Sequence, residues 1–219
     1  QLTASAKELA KVPLAPTFGT IEQTVEGLIA IFGQFNKSLT DTGYILDLVN
    51  EFAAKFAVES QDIFDAVRRG GAAFSAAGGS LEEFVSLFSV LRQVTRESAE
   101  SLGVFFKTGI AELFSPKSQA ELKRLGVTAT DVLGQLNELA TIFNSSQLTA
   151  NEKITTGASL VGQRQFNRLL SLLKGIQDPN IQKQIQAAQK GVIGSIDRDA
   201  VSRLDDFGIS LNRVRESFQ

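Results

Sequence analysis

Apolar residues recur at steps of three and four along most of the chain, and capping residues divide this pattern into short segments. The clearest segment is 97–127, ESAESLGVFFKTGIAELFSPKSQAELKRLGV. Ser98 can cap one helix, Ser115-Pro116 ends that helix and begins another, and Gly126 closes the second. The first of these helices has one apolar face, made of Leu102, Phe105, Phe106, Ile110, Leu113 and Phe114.

Three capping boxes predict further helix starts. Each pairs a serine or threonine with a glutamine or glutamate three residues on, so that two free amides are satisfied reciprocally. The pairs are Thr20 with Gln23, Ser80 with Glu83, and Thr149 with Glu152. The first box opens a helix whose predicted apolar face is Ile21, Val25, Leu28, Ile29, Phe32 and Phe35, and the second opens one with Leu81, Phe84, Val85, Phe88 and Leu91.

The remaining segments are also helical in pattern. We predict a helix over residues 1–12 ended by Pro13, a linker over 13–20, a helix over 44–56, and a short helix capped by Ser60 that ends at Arg68-Arg69-Gly70-Gly71. Further helices begin at Thr130 or Asp131, run over 164–174, and begin at Asp178-Pro179 and Ser195. The face predicted for 44–56 is Ile45, Leu48, Val49, Phe52, Ala53 and Phe56.

No segment has the alternating pattern of a strand, and the predicted fold class is therefore all-α. We expect a compact multi-helix domain of short capped helices followed by longer polar or amphipathic helices. The predicted division is N-terminal helices and a Pro/Gly linker over 1–40, a helical core domain over 41–175, and a helical extension over 176–219. Because residue 1 is not Met, we expect the chain to be an internal piece of a longer protein, with the extension continuing beyond it.

Composition argues against several classes of function. The chain has no Cys and no His, which removes the thiol nucleophile and the commonest general base and transition-metal ligand. Adjacent carboxylates such as Glu82-Glu83 do not face each other on a helix, so we predict no catalytic residues, no metal and no cofactor. The net charge of −2 disfavours nucleic-acid binding, and no apolar stretch reaches the roughly 20 residues of a transmembrane helix.

Two polar groups and one glycine-rich segment have alternative interpretations. Arg164, Gln165, Asn167 and Arg168 form either a recognition patch, with both arginines one turn apart on a helix face, or contacts that hold neighbouring helix ends. Arg68-Arg69 either binds an anionic partner or complements a helix dipole in the last turn. The segment 70–79 is typical of close helix packing or a hinge.

The last predicted helix carries an apolar stripe that no later element covers. Phe207-Gly208 interrupts its heptad spacing, so the pattern does not indicate a long coiled coil. We predict self-association through residues 195–219, together with the helix over 179–190 if the two pair. The stripe consists of Ile196, Val201, Leu204, Leu211, Val214 and Phe218, of which the last four are interaction candidates.

The ordered set of phrases resembles the core region of tape measure proteins of tailed phages. The similar phrases are FFKTGIAELFSPKSQAELKRLGV, AVESQDIFDAVRRGGAAFSAAGGSLEEFVSL before it, and GQRQFNR and SRLDDFGISLNRVRESFQ after it. Each phrase alone is a weak helical pattern, whereas the set in unbroken order is specific. The resemblance covers roughly residues 48–219, and nothing is carried over to 1–40.

The resemblance implies a structural role inside a phage tail. Tape measure proteins fill the tail lumen, set tail length by their own extent and assist genome ejection. It implies a threefold or sixfold homo-oligomer, with tail tube, tail tip or baseplate proteins and tail assembly chaperones as partners. It also implies assembly in the host cytoplasm. Two alternatives remain, a generic helical interaction module and a module attached to a cell-wall-degrading enzyme.

Overall fold

The computed structural model describes residues 2–145 and 147–217, with the backbone alone at residues 2, 207, 208 and 210–217. Within this part of the chain every regular element is helical, which confirms the predicted all-α, compact fold. The α-helices are α1 Leu2–Leu9, α2 Ile21–Phe35, α3 Thr42–Phe56, α4 Ser60–Ala76, α5 Leu81–Thr95, α6 Ala99–Val104, α7 Ile110–Leu113, α8 Pro116–Arg124, α9 Val132–Asn144, α10 Ala150–Val161, α11 Phe166–Gln177, α12 Pro179–Gly191 and α13 Ser195–Ser217.

Most of the predicted helix caps are present where the sequence places them. All three capping boxes form, and Ser98, Ser115 and Asp131 each accept a hydrogen bond from an amide three residues on. Gly126, which follows the C-cap residue Leu125 of α8, has φ of +89°, as expected of a closing glycine. The predicted face of α3 is also confirmed, since all six of its residues are buried.

Helix α4 lies at the centre of the core and packs against α2, α5 and α6. Aromatic side chains fill the space between these helices. Phe84 meets Phe74 edge-to-face with ring centroids 5.4 Å apart, and its centroid lies 4.6 Å from that of Phe106. All three rings are fully buried, so burial of aromatic area is a principal stabilising contribution here.

The predicted end of α4 at Gly70-Gly71 is wrong. The helix continues to Ala76, and both glycines lie inside it on its buried face. At Gly70, α6 crosses too closely for a side chain, since a Cβ there would lie 2.7 Å from the carbonyl oxygen of Gly103. At Gly71 the close neighbours are the side chains of Gln34 and Phe35 on α2. Ser60 is the first helical residue rather than a cap. Of the two interpretations of residues 70–79, close packing and a hinge, the structure therefore favours close packing.

Arg68 and Arg69 consequently do not lie in a last helical turn. Arg68 donates to Glu26 Oε2 at 2.7 Å and also pairs with Asp65, and Arg69 donates to Glu100 at 2.8 Å. The helix-dipole interpretation of these arginines is wrong because α4 extends two further turns beyond them.

The predicted continuous α-helix after Ser98 contains a π-helical segment, Phe105–Gly109, between α6 and α7. The amide of Ile110 bonds to the carbonyl of Phe105, five residues back. Phe105 and Phe106 are adjacent and both fully buried, although neighbouring residues of a regular α-helix point in different directions. The wider π-helical turn occurs at these two residues. A Cβ on Gly109 would lie 2.8 Å from the Phe105 ring, so the segment is also tightly packed.

The predicted apolar face of α2 is wrong in orientation. Leu28 and Phe35 are buried as expected, but Ile21 and Ile29 are 44% and 64% exposed. The ring of Phe64 on α4 sits over Gly27, where a Cβ would approach to 2.3 Å. This contact rotates the helix so that its buried residues are Thr24, Gly27, Leu28, Ile31 and Phe35.

The segment between α1 and α2 is packed against the domain. Helix α1 ends at Leu9 rather than at Pro13, and Pro13 lies within a 3-10 turn, Val12–Leu14. Val12 and Ala15 are buried, and this turn contacts α13. Helix α12 also packs on α3. The division at residues 40 and 175 stays a prediction.

No helix in the described residues combines the length and the apolar character that a membrane span requires.

Candidate functional site at the C-terminal helices

The four polar candidates at residues 164–168 have different environments. Gln165 is buried, Arg168 is half-buried, and Arg164 and Asn167 are exposed. Arg164 lies in a turn before α11, so the predicted placement of Arg164 and Arg168 on one helix face is wrong. Gly162, with φ of +82°, ends α10 and separates it from this turn.

Gln165 and Arg168 hold neighbouring elements together. Gln165 donates to Thr108 Oγ1 in the π-helical segment at 3.1 Å and accepts from Arg168 at 2.8 Å. Arg168 also donates through Nε to Glu97 Oε2 at 2.8 Å, across the end of α5. These two side chains are therefore engaged within the domain, and Arg164 and Asn167 present the remaining exposed polar surface of the group.

Helix α13 begins buried and then becomes exposed. Ile196 and Ala200 are buried against the domain, whereas Val201 and Leu204 are 58% and 57% exposed. Ile209, which was not among the candidates, is 52% exposed. The backbone of Leu211 and Val214 is helical, but their side chains and all of Phe218 lie outside the described residues.

The start of α13 is bound by a polar face of α3, which we call the α3 socket: Asp47, Asn50 and Glu51. Asp47 accepts hydrogen bonds from the amides of Gly194 and Ile196, at 2.8 and 2.9 Å. These are free amides at a helix N-terminus, where a carboxylate is favoured by both hydrogen bonding and the helix dipole. The cap of α13 is thus supplied by another helix.

Asn50 connects the socket to the N-terminal region. Its amide nitrogen donates to Ser195 Oγ at 3.0 Å and to Asp199 Oδ2 at 2.9 Å. Its carbonyl oxygen accepts from Thr17 Oγ1 at 2.6 Å, and Thr17 in turn accepts from Ser60. Since Asn50 is fully buried, the loss of these partners would leave unsatisfied polar groups.

Glu51 and Arg198 complete the contact. Glu51 Oε2 accepts from Ser195 Oγ at 2.8 Å and from Arg198 Nη2 at 3.0 Å. Arg198 also donates to the carbonyl of Ile193 at 2.7 Å and to that of Gly191. The socket was not among the predicted sites, although its three polar residues, at steps of three and one within an apolar-rich helix, were a signal of a polar face.

A groove runs beside α12. One part, of about 240 Å³, has Leu87, Leu133, Ile176 and Ile185 among its lining residues, together with Gln182, Gln186 and Gln189 from α12. A neighbouring part includes Tyr44, Val192 and Ile193 and shares Glu82 and Gln189 with the first. Burial and the nearby Glu82 carboxylate raise the pKa of Tyr44 to about 12. The described residues contain no group of acidic side chains arranged to hold a metal ion.

Comparison with known families finds a match over most of the chain. A family model described as phage-related minor tail protein matches residues 1–162. The match includes residues 1–40, which the resemblance to tape measure proteins does not cover. It ends before α11, α12 and α13. No solved structure matches the chain.

Proposed function

Because the chain belongs to the family of phage-related minor tail proteins, we propose that it is a segment of a tail tape measure protein. Family membership makes it a phage tail protein associated with the virion, with other tail proteins as its partners. The more specific proposal is that it fills the tail lumen, contributes to tail length and assists genome ejection, and that its role is structural rather than catalytic.

One structural observation carries the tape measure proposal: a compact helical domain from which a single helix extends. After Ala200, residues 201–206 of α13 are all exposed, and the helix continues to Ser217. An extended helix converts residue number into length at about 1.5 Å per residue, which is the property that a length standard requires.

The exposed apolar residues on α13 support a proposal of self-association. Val201 and Leu204 lie three residues apart on a helix, and no element among the described residues covers them. Such exposed apolar residues are commonly covered by a second copy. We propose a threefold or sixfold assembly inside the tail tube, formed in the host cytoplasm with tail assembly chaperones. Tail tube and tail tip or baseplate proteins are the proposed contacts in the finished tail.

The decisive experiment changes the length of α13 in the phage that encodes the chain. Three extra tandem copies of residues 201–214 add 42 residues in whole heptads, or roughly 60 Å of helix. We expect tails longer by about this amount in electron micrographs. The matched control inserts 42 flexible residues into the loop between α9 and α10, which adds no length along α13.

Tails of unchanged length with the α13 insertion, in particles that still contain the protein, would contradict the tape measure role. They would leave membership of the tail protein family untouched.

A helical adaptor is the second candidate, favoured by Ile21 and Ile29, which are exposed on α2 outside the proposed assembly. Pull-downs from infected cells distinguish the two. Recovery of tail tube, tail tip or chaperone proteins favours the tape measure, and recovery of other proteins through α2 favours the adaptor. Clear lysis of peptidoglycan in a zymogram would instead support the cell-wall-degrading module.

A further inference from the structure

Helices α12 and α13 are separated by only three residues, 192–194. Val192 retains helical dihedral angles, with φ of −53° and ψ of −56°. The change in direction therefore involves Gly194, whose φ is +72°, a value that glycine adopts easily and other residues adopt at a cost. Proline is absent from residues 180–217, so no residue type in this stretch forbids a continuous helix.

The hydrogen bonds at the break replace those of a continuous helix. In an unbroken helix the amides of Gly194 and Ile196 would donate to carbonyls four residues back. Here Asp47 accepts from both. On the α12 side, the carbonyls of Gly191 and Ile193 would accept from amides four residues on, and here Arg198 donates to both. The two broken ends are thus capped by side chains that stand in for helical partners.

We infer that α12 and α13 are two halves of one helix, held apart by the α3 socket and able to join into a single helix over residues 179–217. The joined helix would contain 39 residues and measure roughly 60 Å. The bent arrangement is favoured by burial of Ile196 and Ala200 and by the ion pair of Lys11 with Asp197 at 2.5 Å. The joined arrangement gains regular intrahelical bonds. This device goes beyond the tail role and does not depend on it.

The device offers a way to project the C-terminal helix without unfolding the core. Most of what joins α13 to the domain is polar, namely Asp47, Asn50, Glu51 and their partners. Polar groups that leave the socket are hydrated by water, so the apolar area that detachment exposes is limited to Ile196, Ala200 and Val192 and to Val12 in the turn that α13 contacts. The bulk of the core, between α2 and α11, is not required to open.

Distance measurement between two spin labels tests the device, and the absence of native Cys allows unique labelling. Labels at Lys183 and Arg203, which are exposed on α12 and α13, lie 20 residues apart and about 30 Å apart in a straight helix. The unmodified chain should give a shorter distance. Gly194→Ala penalises the left-handed conformation and favours helix, and should raise the population at about 30 Å by roughly ten- to hundredfold.

Asp47→Ala is the second variant, because it removes the shared acceptor without changing the backbone at the break. It should raise the same population. Gly126→Ala is the matched control: Gly126 has φ of +89°, and no atom lies within 4 Å of the position of its Cβ, so it should leave the label distance unchanged.

An unchanged distance in both folded variants, as judged by circular dichroism, would overturn the inference. If Gly194→Ala does not fold, Asp47→Ala and Arg198→Ala decide the question by the same measurement. If α12 and α13 do not join, the outcome expected of the tail-length experiment is the same, because that experiment changes only the helix after residue 200.

Discussion

A Cβ atom on Gly70 of α4 would lie 2.7 Å from the carbonyl oxygen of Gly103 of α6. The same atom would lie 2.6 Å from Cβ of Phe106, and a Cβ on Gly103 would approach the Cα of Ala66 to 3.3 Å. The two helices are therefore in backbone contact, and the crossing positions Phe106 among the other aromatic rings of the core.

Gly70→Ala should destabilise the domain by about 1–3 kcal/mol, because the backbone of α6 must move to admit the methyl group. The measurement is urea unfolding followed by circular dichroism. Gly33→Ala is the control, since Gly33 lies within α2 with no atom near its Cβ position. It should be neutral or stabilise by up to about 1 kcal/mol. Equal effects of the two variants would contradict close packing at Gly70.

Phe105→Ala and Leu113→Ala should each lower the free energy of unfolding by about 2–5 kcal/mol, because both side chains are fully buried and their removal leaves cavities. Chemical denaturation measures the change. Ile29→Ala, at an apolar residue that is largely exposed, should cost about 0.5 kcal/mol or less. Losses under about 0.5 kcal/mol at both core positions would mean that this face serves a partner instead.

Asn50→Ala should cost about 1–3 kcal/mol, because Ser195, Asp199 and Thr17 lose a shared buried partner. Hydrogen exchange should also increase at the start of α13. Asn151→Ala, at an exposed asparagine in the first turn of α10, provides the comparison and should change stability by about 0.5 kcal/mol or less. Unaltered exchange in α13 of the Asn50 variant would argue against the socket as its anchor.

Tyr44 should titrate at about pH 12 rather than near 10, because burial and the Glu82 carboxylate both disfavour the phenolate. A raised pKa in the folded state means that the associated stability is present below pH 10 and is lost as pH rises towards 12. Tyr44 is the only tyrosine, so absorbance after rapid pH jumps reports it alone. Glu82→Gln should lower this pKa, and an unchanged midpoint would rule out the electrostatic contribution.

Leu204→Glu together with Val201→Glu should abolish self-association in sedimentation experiments, because charges would replace the exposed apolar residues of α13. The control is Ile154→Glu, at an isoleucine on α10 with 49% exposure, which should not change the sedimentation coefficient. A monomer at high concentration in the unmodified chain, unaffected by deletion of residues 179–219, would place any oligomer contacts outside this chain.

Helix starts could be predicted because a cap is a local interaction. Thr20, Ser80 and Thr149 each bond to an amide three residues along, so the participants are adjacent in the sequence. Apolar faces could be predicted where the helix has one strong stripe, as in α3. In α2 two stripes compete, and the choice between them depends on Phe64, which lies on another helix.

The candidate site was only partly predictable. The apolar stripe of α13 could be predicted from its periodicity, whereas the structure decides that Ile196 is buried and that Val201 and Leu204 are exposed. Asp47 and Gly194 are separated by 147 positions, and no local pattern indicates that a carboxylate on α3 caps the helix after α12. Arg168 was identified as a polar residue, but its partner Glu97 lies 71 positions away.

The helical class, most helix starts and the interior face of α3 follow from the amino-acid sequence alone, because three- and four-residue periodicity and capping act within a single turn. Tertiary contacts instead determine that α4 passes through Gly70-Gly71, that the helix after Ser98 widens at Phe105–Gly109, and that Asp47 of α3 caps the start of α13. Each of these outcomes depends on a contact between distant residues, whose free energy exceeds the local preference that the sequence expresses.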